Sequence, residues 1–239
     1  ILSVQNARIA FTTDSFVVDP IFFPGGDIGD LAVNGTVNDL LCSGATPLYL
    51  SAGFILEEGF PIETLRRIVE SMRLAAARAG VSIVTGDTKV VERGKGDQIY
   101  INTSGIGIIP DGIHIGLSQI RKGDVVLVTG EIGNHGTSVL SARENLGFES
   151  IIQSDTAALT RLVSNLLGGV PGVRFMRDPT RGGLSATLNE VAEDTGVTIT
   201  IDEEAIPVSD PVAAACGLLG IDPLGMANEG VLLIVVAKQ

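Results

Sequence analysis

Apolar positions recur with a helical period between Pro61 and Ala79. Ile62, Leu65, Ile68/Val69, Met72, Ala75/Ala76 and Ala79 line one face, Pro61 opens the first turn and Gly80 follows the last. This spacing predicts an amphipathic helix. The run from Asp27 to Gly44 has a different pattern, because Ile28, Leu31, Val33, Val37, Leu40 and Leu41 spread around the helical wheel. A helix that is apolar all round is buried. Asp27 can cap its start and Asp30 sits in the favourable field of its first turn, while Gly44 and Pro47 stop it. Asn38 and Asp39 lie inside this helix, and Asp39 shares a stripe with the small residues Ala32, Gly35 and Cys42. A buried carboxylate needs a cation, a donor or a proton.

Short apolar runs read as strands. Arg8 to Thr13 and Phe16 to Val18 are expected to be separated at Asp14-Ser15, which places Asp14 near a strand end. Pro47 to Leu56, Val81 to Thr85 and Gln98 to Ile109 follow, with Val81 to Thr85 expected to be buried and to stop at Gly86. The alternation restarts after Pro110. It predicts strands at Val125–Thr129, Val173–Met176, Val197–Ile201 and Val231–Val236. Helices are expected after His135, over Asp155–Leu167, after Gly183 and over Pro211–Leu219. Strand and helix alternate within both halves. The reading is therefore mixed α/β in two domains, 1–112 and 113–239.

Charge narrows the ligand. The formal net charge is −12, which disfavours a nucleic-acid backbone and requires metal ions to bridge any phosphate ligand to acidic residues. No apolar run has the length of a bilayer crossing, and neither membrane nor nucleic acid is an expected partner. Cys42 and Cys216 sit in apolar helical contexts, as reduced buried thiols of a cytoplasmic protein would. The Asn34 and Asn102 sequons fall in a helix and a strand and read as chance.

Candidate chemistry is scattered along the chain. Asp14, Asp39 and Asp87 supply hard oxygen donors of the kind Mg²⁺ takes alongside phosphate oxygens and water. Together with Lys89 they are what a nucleotide triphosphate site would need, if they converge. Gly86-Asp87-Thr88-Lys89 after a strand offers a backbone approach, a hydroxyl and a point charge for phosphates. It is neither a P-loop nor a dinucleotide fingerprint. Asp178-Pro-Thr180-Arg-Gly-Gly183 precedes a helix whose N–H groups suit an anion. Asn228-Glu229-Gly230 precedes a strand. His135 lies between glycines and can act as acid or base. Each of these, taken alone, also fits an ordinary cap, turn or packed residue.

Their combination is more specific. Thr13-Asp14-Ser15, Asn38-Asp39-Leu with Ser43-Gly-Ala-x-Pro47, Gly86-Asp87-Thr-Lys89, Asp178-x-Thr-x-Gly-Gly183 and Asn228-Glu229-Gly230 occur in one order. This resembles the aminoimidazole ribonucleotide synthetase (PurM-like) superfamily. Within it, Thr13 to Gly26, Gly53-Phe-Ile-Leu-Glu-Glu-Gly59, Thr85 to Val91 and Arg177-Asp-x-Thr-Arg-Gly-Gly183 are similar to the HypE family of hydrogenase maturation carbamoyl dehydratases. The likeness runs over essentially the whole chain.

The resemblance implies an N-terminal mixed-sheet domain that pairs with a second copy to close a barrel, and a C-terminal α/β sandwich domain. It implies a homodimer with ATP in clefts at the interface. The implied activity is ATP-dependent dehydration of a carbamoyl group on a C-terminal cysteine sulfur to a thiocyanate, for the iron of nickel–iron hydrogenase. Implied partners are the carbamoyltransferase that donates the group and the iron–cyanide scaffold proteins. By this likeness Asp14, Asp39 and Asp87 would hold Mg²⁺, and Lys89 would stabilise the transferring phosphoryl group. Asn38, Gly86, Thr88, Lys89, Asp178 and Thr180 would bind the nucleotide. Glu229 would be the base, with His135 lining the second-domain side. The family's glycine-rich N-terminal segment and reactive cysteine tail have no counterpart between Ile1 and Gln239, so the polypeptide is expected to be a trimmed body, inactive without its tail. A small-molecule kinase of the same superfamily, such as thiamine monophosphate kinase, is the alternative.

Overall fold

The computed structural model describes residues 1–4, 7–147 and 151–238. The chain divides into two compact units, the first comprising 1–22, 26–112 and 157–163, the second 23–25, 113–156 and 164–239. No helix among the described residues is long and apolar enough to cross a membrane.

The first unit is built on a five-stranded sheet. Its strands are β1 (Leu2–Val4), β2 (Ala7–Phe16), β3 (Thr46–Glu57), β4 (Ser82–Val91) and β5 (Ile99–Ile109), in the order β1-β2-β5-β3-β4. All pairs are antiparallel except β3–β4, which are parallel and joined through a helix. Helix α1 (Ile28–Cys42) packs against β2, β5 and α2 (Ile62–Ala79). Being covered by the sheet on one side and α2 on another, it needs apolar residues all round: Ile28, Ala32, Val33 and Val37 are each fully buried. Asp27 caps it, accepting the N–H groups of Gly29 at 2.7 Å and Asp30 at 3.1 Å. The helices approach closely at Gly29, where a Cβ would stand 2.5 Å from the Ile68 carbonyl oxygen.

Two strand expectations change. β2 runs unbroken through Asp14-Ser15, because both residues pair with β5, at Thr103 and Asn102. The strand expected to be buried over Val81–Thr85 instead continues to Val91 and is exposed along Ser82–Val90. It is an edge strand, and an edge strand lacks a neighbour on one side.

In the second unit β6 (Val125–Val128), β7 (Val173–Arg177) and β8 (Leu233–Val236) form an antiparallel sheet in the order β6-β8-β7. Ile132, Phe175, Leu184, Leu188, Val191 and Leu233 belong to its core. The helices are α3 (Asn134–Glu144), α4 (Thr160–Gly169), α5 (Gly183–Thr195) and α6 (Asp210–Leu219). The helix expected from Asp155 starts five residues later, because Ser154 and Asp155 are bonded elsewhere. Val197–Ile201 forms no strand. Cys216 is buried, whereas Cys42 is only half-buried.

Gly29→Ala is expected to lower stability by about 1–3 kcal/mol through overpacking of α1 against α2. Chemical denaturation followed by far-UV circular dichroism measures it; an unchanged midpoint would show that the two helices yield freely.

Candidate functional site

Strand pairing fixes where the first unit's acidic groups point. Asp14 pairs with Thr103, Thr103 with Ala52 and Ala52 with Gly86. Residues in one such row share a face of the sheet. Thr103 is fully buried against α1, where its hydroxyl donates to the Ala32 carbonyl at 2.9 Å and lies 2.5 Å from the Thr36 hydroxyl. Asp14 therefore belongs to the helix face, at an exposed position. Asp39 joins it there: the Thr12 hydroxyl donates to Asp39 Oδ2 at 2.7 Å. Thr12 and Asp14 are two residues apart on that face, roughly 7 Å along the strand.

Asp87 belongs to the other face. It follows Gly86 by one residue and pairs with Gly53, which pairs with Asn102. It is three strands from Asp14, roughly 14 Å across the sheet. The expected convergence of Asp14, Asp39 and Asp87 does not form within the chain. Among the described residues no three His, Cys, Asp or Glu side chains come together as a metal site. The pleat is the reason, since it sends successive side chains to opposite sides. Along β4 it also splits the expected phosphate loop, with Asp87 and Lys89 on the open face and Gly86 and Thr88 on the other. Gly86 is needed for strand packing, because a Cβ there would meet the Ala52 carbonyl oxygen at 2.3 Å.

The open face does hold a site of its own. Asp87, Lys89, Ser15, Tyr100 and Asn102 line a depression of about 280 Å³. The Asn102 amide donates to Thr13 Oγ1 at 3.3 Å, to the Asp14 carbonyl at 2.8 Å and to Ser15 Oγ at 3.0 Å. Asn102, dismissed as a chance sequon, is thus the organiser of this row. Strand alternation was its signal, and it becomes readable only with the register known.

Asn38 is tied to a neighbouring segment of the chain. Its side chain is buried in α1; the amide donates to the Ala157 carbonyl at 2.9 Å and its oxygen accepts the Leu159 N–H at 3.0 Å. With both ends engaged, it pins the 157–159 segment.

In the second unit three turns are tied by one amide. Asn228 is fully buried. Its oxygen accepts the Gly133 N–H at 2.7 Å, and its NH₂ donates to Pro179 and Met226 carbonyls at 2.9 and 3.0 Å. This brings the segments carrying His135, Asp178, Thr180 and Glu229 together. Asp155 completes the group: its Oδ2 accepts the N–H groups of Glu229 at 3.1 Å and Gly230 at 2.9 Å. Burial pushes the Asp155 carboxyl up, opposed by the N–H groups of Gly230, of Asp155 itself, of Glu229 and of His135. The polar pair Ser154-Asp155 between Ile151-Ile152 and Ala157-Ala158 was the overlooked sequence signal.

Asp178 and Thr180 sit in the turn before α5, where the Thr180 N–H donates to the Asp178 carbonyl. Neither caps α5; Gly182 does, with no side-chain bond. Gly183 has φ of 62°, and a Cβ there would lie 2.5 Å from two carbonyl oxygens, so glycine is required.

His135 is packed rather than poised. It is buried, its Nδ1 is 2.8 Å from the Ser154 hydroxyl and its ring meets Phe23 edge-on at 5.4 Å. Burial lowers its pKa to about 4. Enclosure favours the neutral imidazole near pH 7. Its folded pKa lies below the unfolded value of about 6.5, so its contribution to stability is full above that pH. Stability should fall as pH drops from about 6.5 to about 4, by an amount of order 3 kcal/mol from this group. Urea melts of wild type and His135→Gln across that range test this; identical pH slopes would refute it.

Residues 1–109 match the family model for the AIR synthase related protein N-terminal domain, and residues 121–239 match that for the C-terminal domain. The chain is 58% identical over 232 residues to the carbamoyl dehydratase HypE of Azotobacter vinelandii, covering 97% of this chain and 68% of that protein. It spans about two thirds of the length of the curated relatives it matches. A crystal structure of the hydrogenase maturation protein HypE in complex with ATP superimposes with a TM-score of 0.95 at 49% identity, covering 100% of this chain and 71% of that one. A HypE–HypF complex superimposes with a TM-score of 0.95 at 51% identity, covering 98% and 77%. Thiamine monophosphate kinase from Aquifex aeolicus shares the fold alone, with a TM-score of 0.79 at 19% identity over 98% of this chain and 82% of that chain.

Proposed function

The chain belongs to the AIR synthase related family and, within it, to the HypE carbamoyl dehydratases, and from that premise we propose how its residues serve the reaction. The function is ATP-dependent dehydration of an S-carbamoyl group to a thiocyanate in hydrogenase maturation. The observation that carries this reading is the identity to carbamoyl dehydratases along nearly the whole chain. The kinase alternative has only a shared fold in its favour.

ATP is the phosphoryl donor. The carbamoyl oxygen attacks the γ-phosphorus as its bond to ADP breaks, which turns a poor leaving group into a good one. The nitrogen loses one proton to solvent. The C–O bond then breaks, the oxygen departs with phosphate, and Glu229 takes the second N–H proton as the C≡N bond forms. Lys89 stabilises charge on the transferring phosphoryl group. Thr88, Asp178 and Thr180 help to fix the nucleotide.

Asp14 and Asp39 offer two carboxylates on one face, which suits Mg²⁺ when phosphates and water complete its shell. The ion would neutralise phosphate charge there. Asp87 lies on the opposite face of its own sheet, so a second copy is the natural source of the third carboxylate. The open face supports that pairing: Phe11, Tyr49, Ile55, Ile106 and Ile108 are 37–57% exposed on it, an unusual amount of apolar surface for a lone domain. We therefore read the chain as one half of a homodimer. The carbamoyltransferase and the iron–cyanide scaffold proteins are its partners, and the cytoplasm its compartment.

Asp39→Asn and Asp87→Asn should each weaken Mg–ATP binding at least tenfold, because an amide lacks the charge a hard cation needs. Titration calorimetry with full-length protein measures this, and unchanged affinity would remove either residue from the site. Glu229→Gln should bind ATP normally yet form no thiocyanate, as read by mass spectrometry of the tail; lost binding would mean that its role is structural.

A further inference from the structure

Asp155 is a half-buried carboxylate beside the Glu229 turn, and the chemistry described above gives it no task. One of its oxygens receives two consecutive backbone N–H groups, those of Glu229 and Gly230. Two convergent donors on one oxygen fix the orientation of the peptide plane between them, and with it the Cα–Cβ direction of Glu229. Oδ1, the other oxygen, is buried. The segment holding Asp155 is itself anchored: the Ser154 N–H donates to the Pro24 carbonyl at 2.8 Å, and the Ser154 hydroxyl meets His135 and accepts the Thr156 N–H. On the far side, Asn228, the residue preceding Glu229, is locked to Pro179 and Gly133. The turn is thus gripped from both ends, by an amide on one side and a carboxylate on the other.

Such a grip is more than helix or sheet stability asks for. Backbone N–H groups at a turn are satisfied by water when the turn is exposed. Burying an acid to satisfy them costs desolvation, which the raised proton affinity of Asp155 reflects. What the arrangement supplies is a fixed direction for one side chain.

We propose that Asp155 is a positioning residue for the dehydration step: by binding the N–H groups of Glu229 and Gly230 it holds the Glu229 carboxylate in line with the proton it removes. This rests on the assignment of Glu229 as base. It predicts a specific pattern of losses, since misplacing a catalytic group by about 1 Å costs up to 10²-fold in rate.

The test uses full-length protein with its carbamoylated cysteine, following phosphate release and thiocyanate formation. Asp155→Ala should lower kcat by roughly 10–100-fold while leaving KM for ATP within about twofold. Asp155→Asn keeps an oxygen able to accept both N–H groups and should restore most of the rate. Asp155→Glu retains the charge but displaces it by a methylene, and should lose rate as alanine does; it also serves if the alanine variant fails to fold. In a double-mutant cycle with Glu229→Asp, which shifts the base itself, the two losses should not multiply. Fully multiplicative losses, or an Asp155→Asn as impaired as Asp155→Ala, would overturn the proposal. So would a fall in thermal stability and a rise in KM with kcat unchanged. The assignment beneath it is judged separately: an active Glu229→Gln removes the base, and the proposal with it, whatever the Asp155 variants do.

Discussion

A helix with no solvent-facing side sets the terms for the first unit. α1 lies against the sheet and against α2, so every polar group it carries must be satisfied within the protein or reserved for a ligand. Thr36 meets Thr103, and Asn38 holds the 157–159 segment through both ends of its amide. Asp30, near the N-terminal end, pairs with Arg78 of α2. Asp39 is only partly buried and accepts a hydrogen bond from the Thr12 hydroxyl.

The second constraint is the pleat of the sheet. It distributes the acidic residues between two faces that one chain cannot bring together. Asp14 and Asp39 share the helix side, while Asp87 and Lys89 share the open side with the Asn102 row. The edge position of β4 explains why the Gly86–Lys89 motif is exposed despite its apolar lead-in. An unpaired edge and an apolar open face are costly for an isolated domain and useful for one that pairs.

The second unit solves a different problem, holding irregular turns rigid without regular structure. Asn228 and Asp155 do so with one amide and one carboxylate, between them taking up N–H or C=O groups from three separate segments. His135 contributes packing to the same cluster through Phe23 and Ser154. Its neutral ring is a consequence of being enclosed, and its place between glycines reflects the close approach of Gly136 to Met226 and Ala227.

Local patterns settled much by themselves. The period of 61–79 specified an amphipathic helix, the wheel of 27–44 specified a buried one, and Asp27 and Gly44 marked its ends. The order of the acidic and glycine-containing motifs was enough to indicate the family. What the sequence could not contain was register. Whether Asp14 ends a strand or continues it depends on Thr103 lying opposite, and whether Val81–Thr85 is central or at an edge depends on strand order. Asn38 and Asp155 acquired their roles from segments more than 70 residues away along the chain. Side-chain period is a property of neighbours in sequence, but the face, the partner and the burial of each group are set by long-range pairing, which only the folded structure decides.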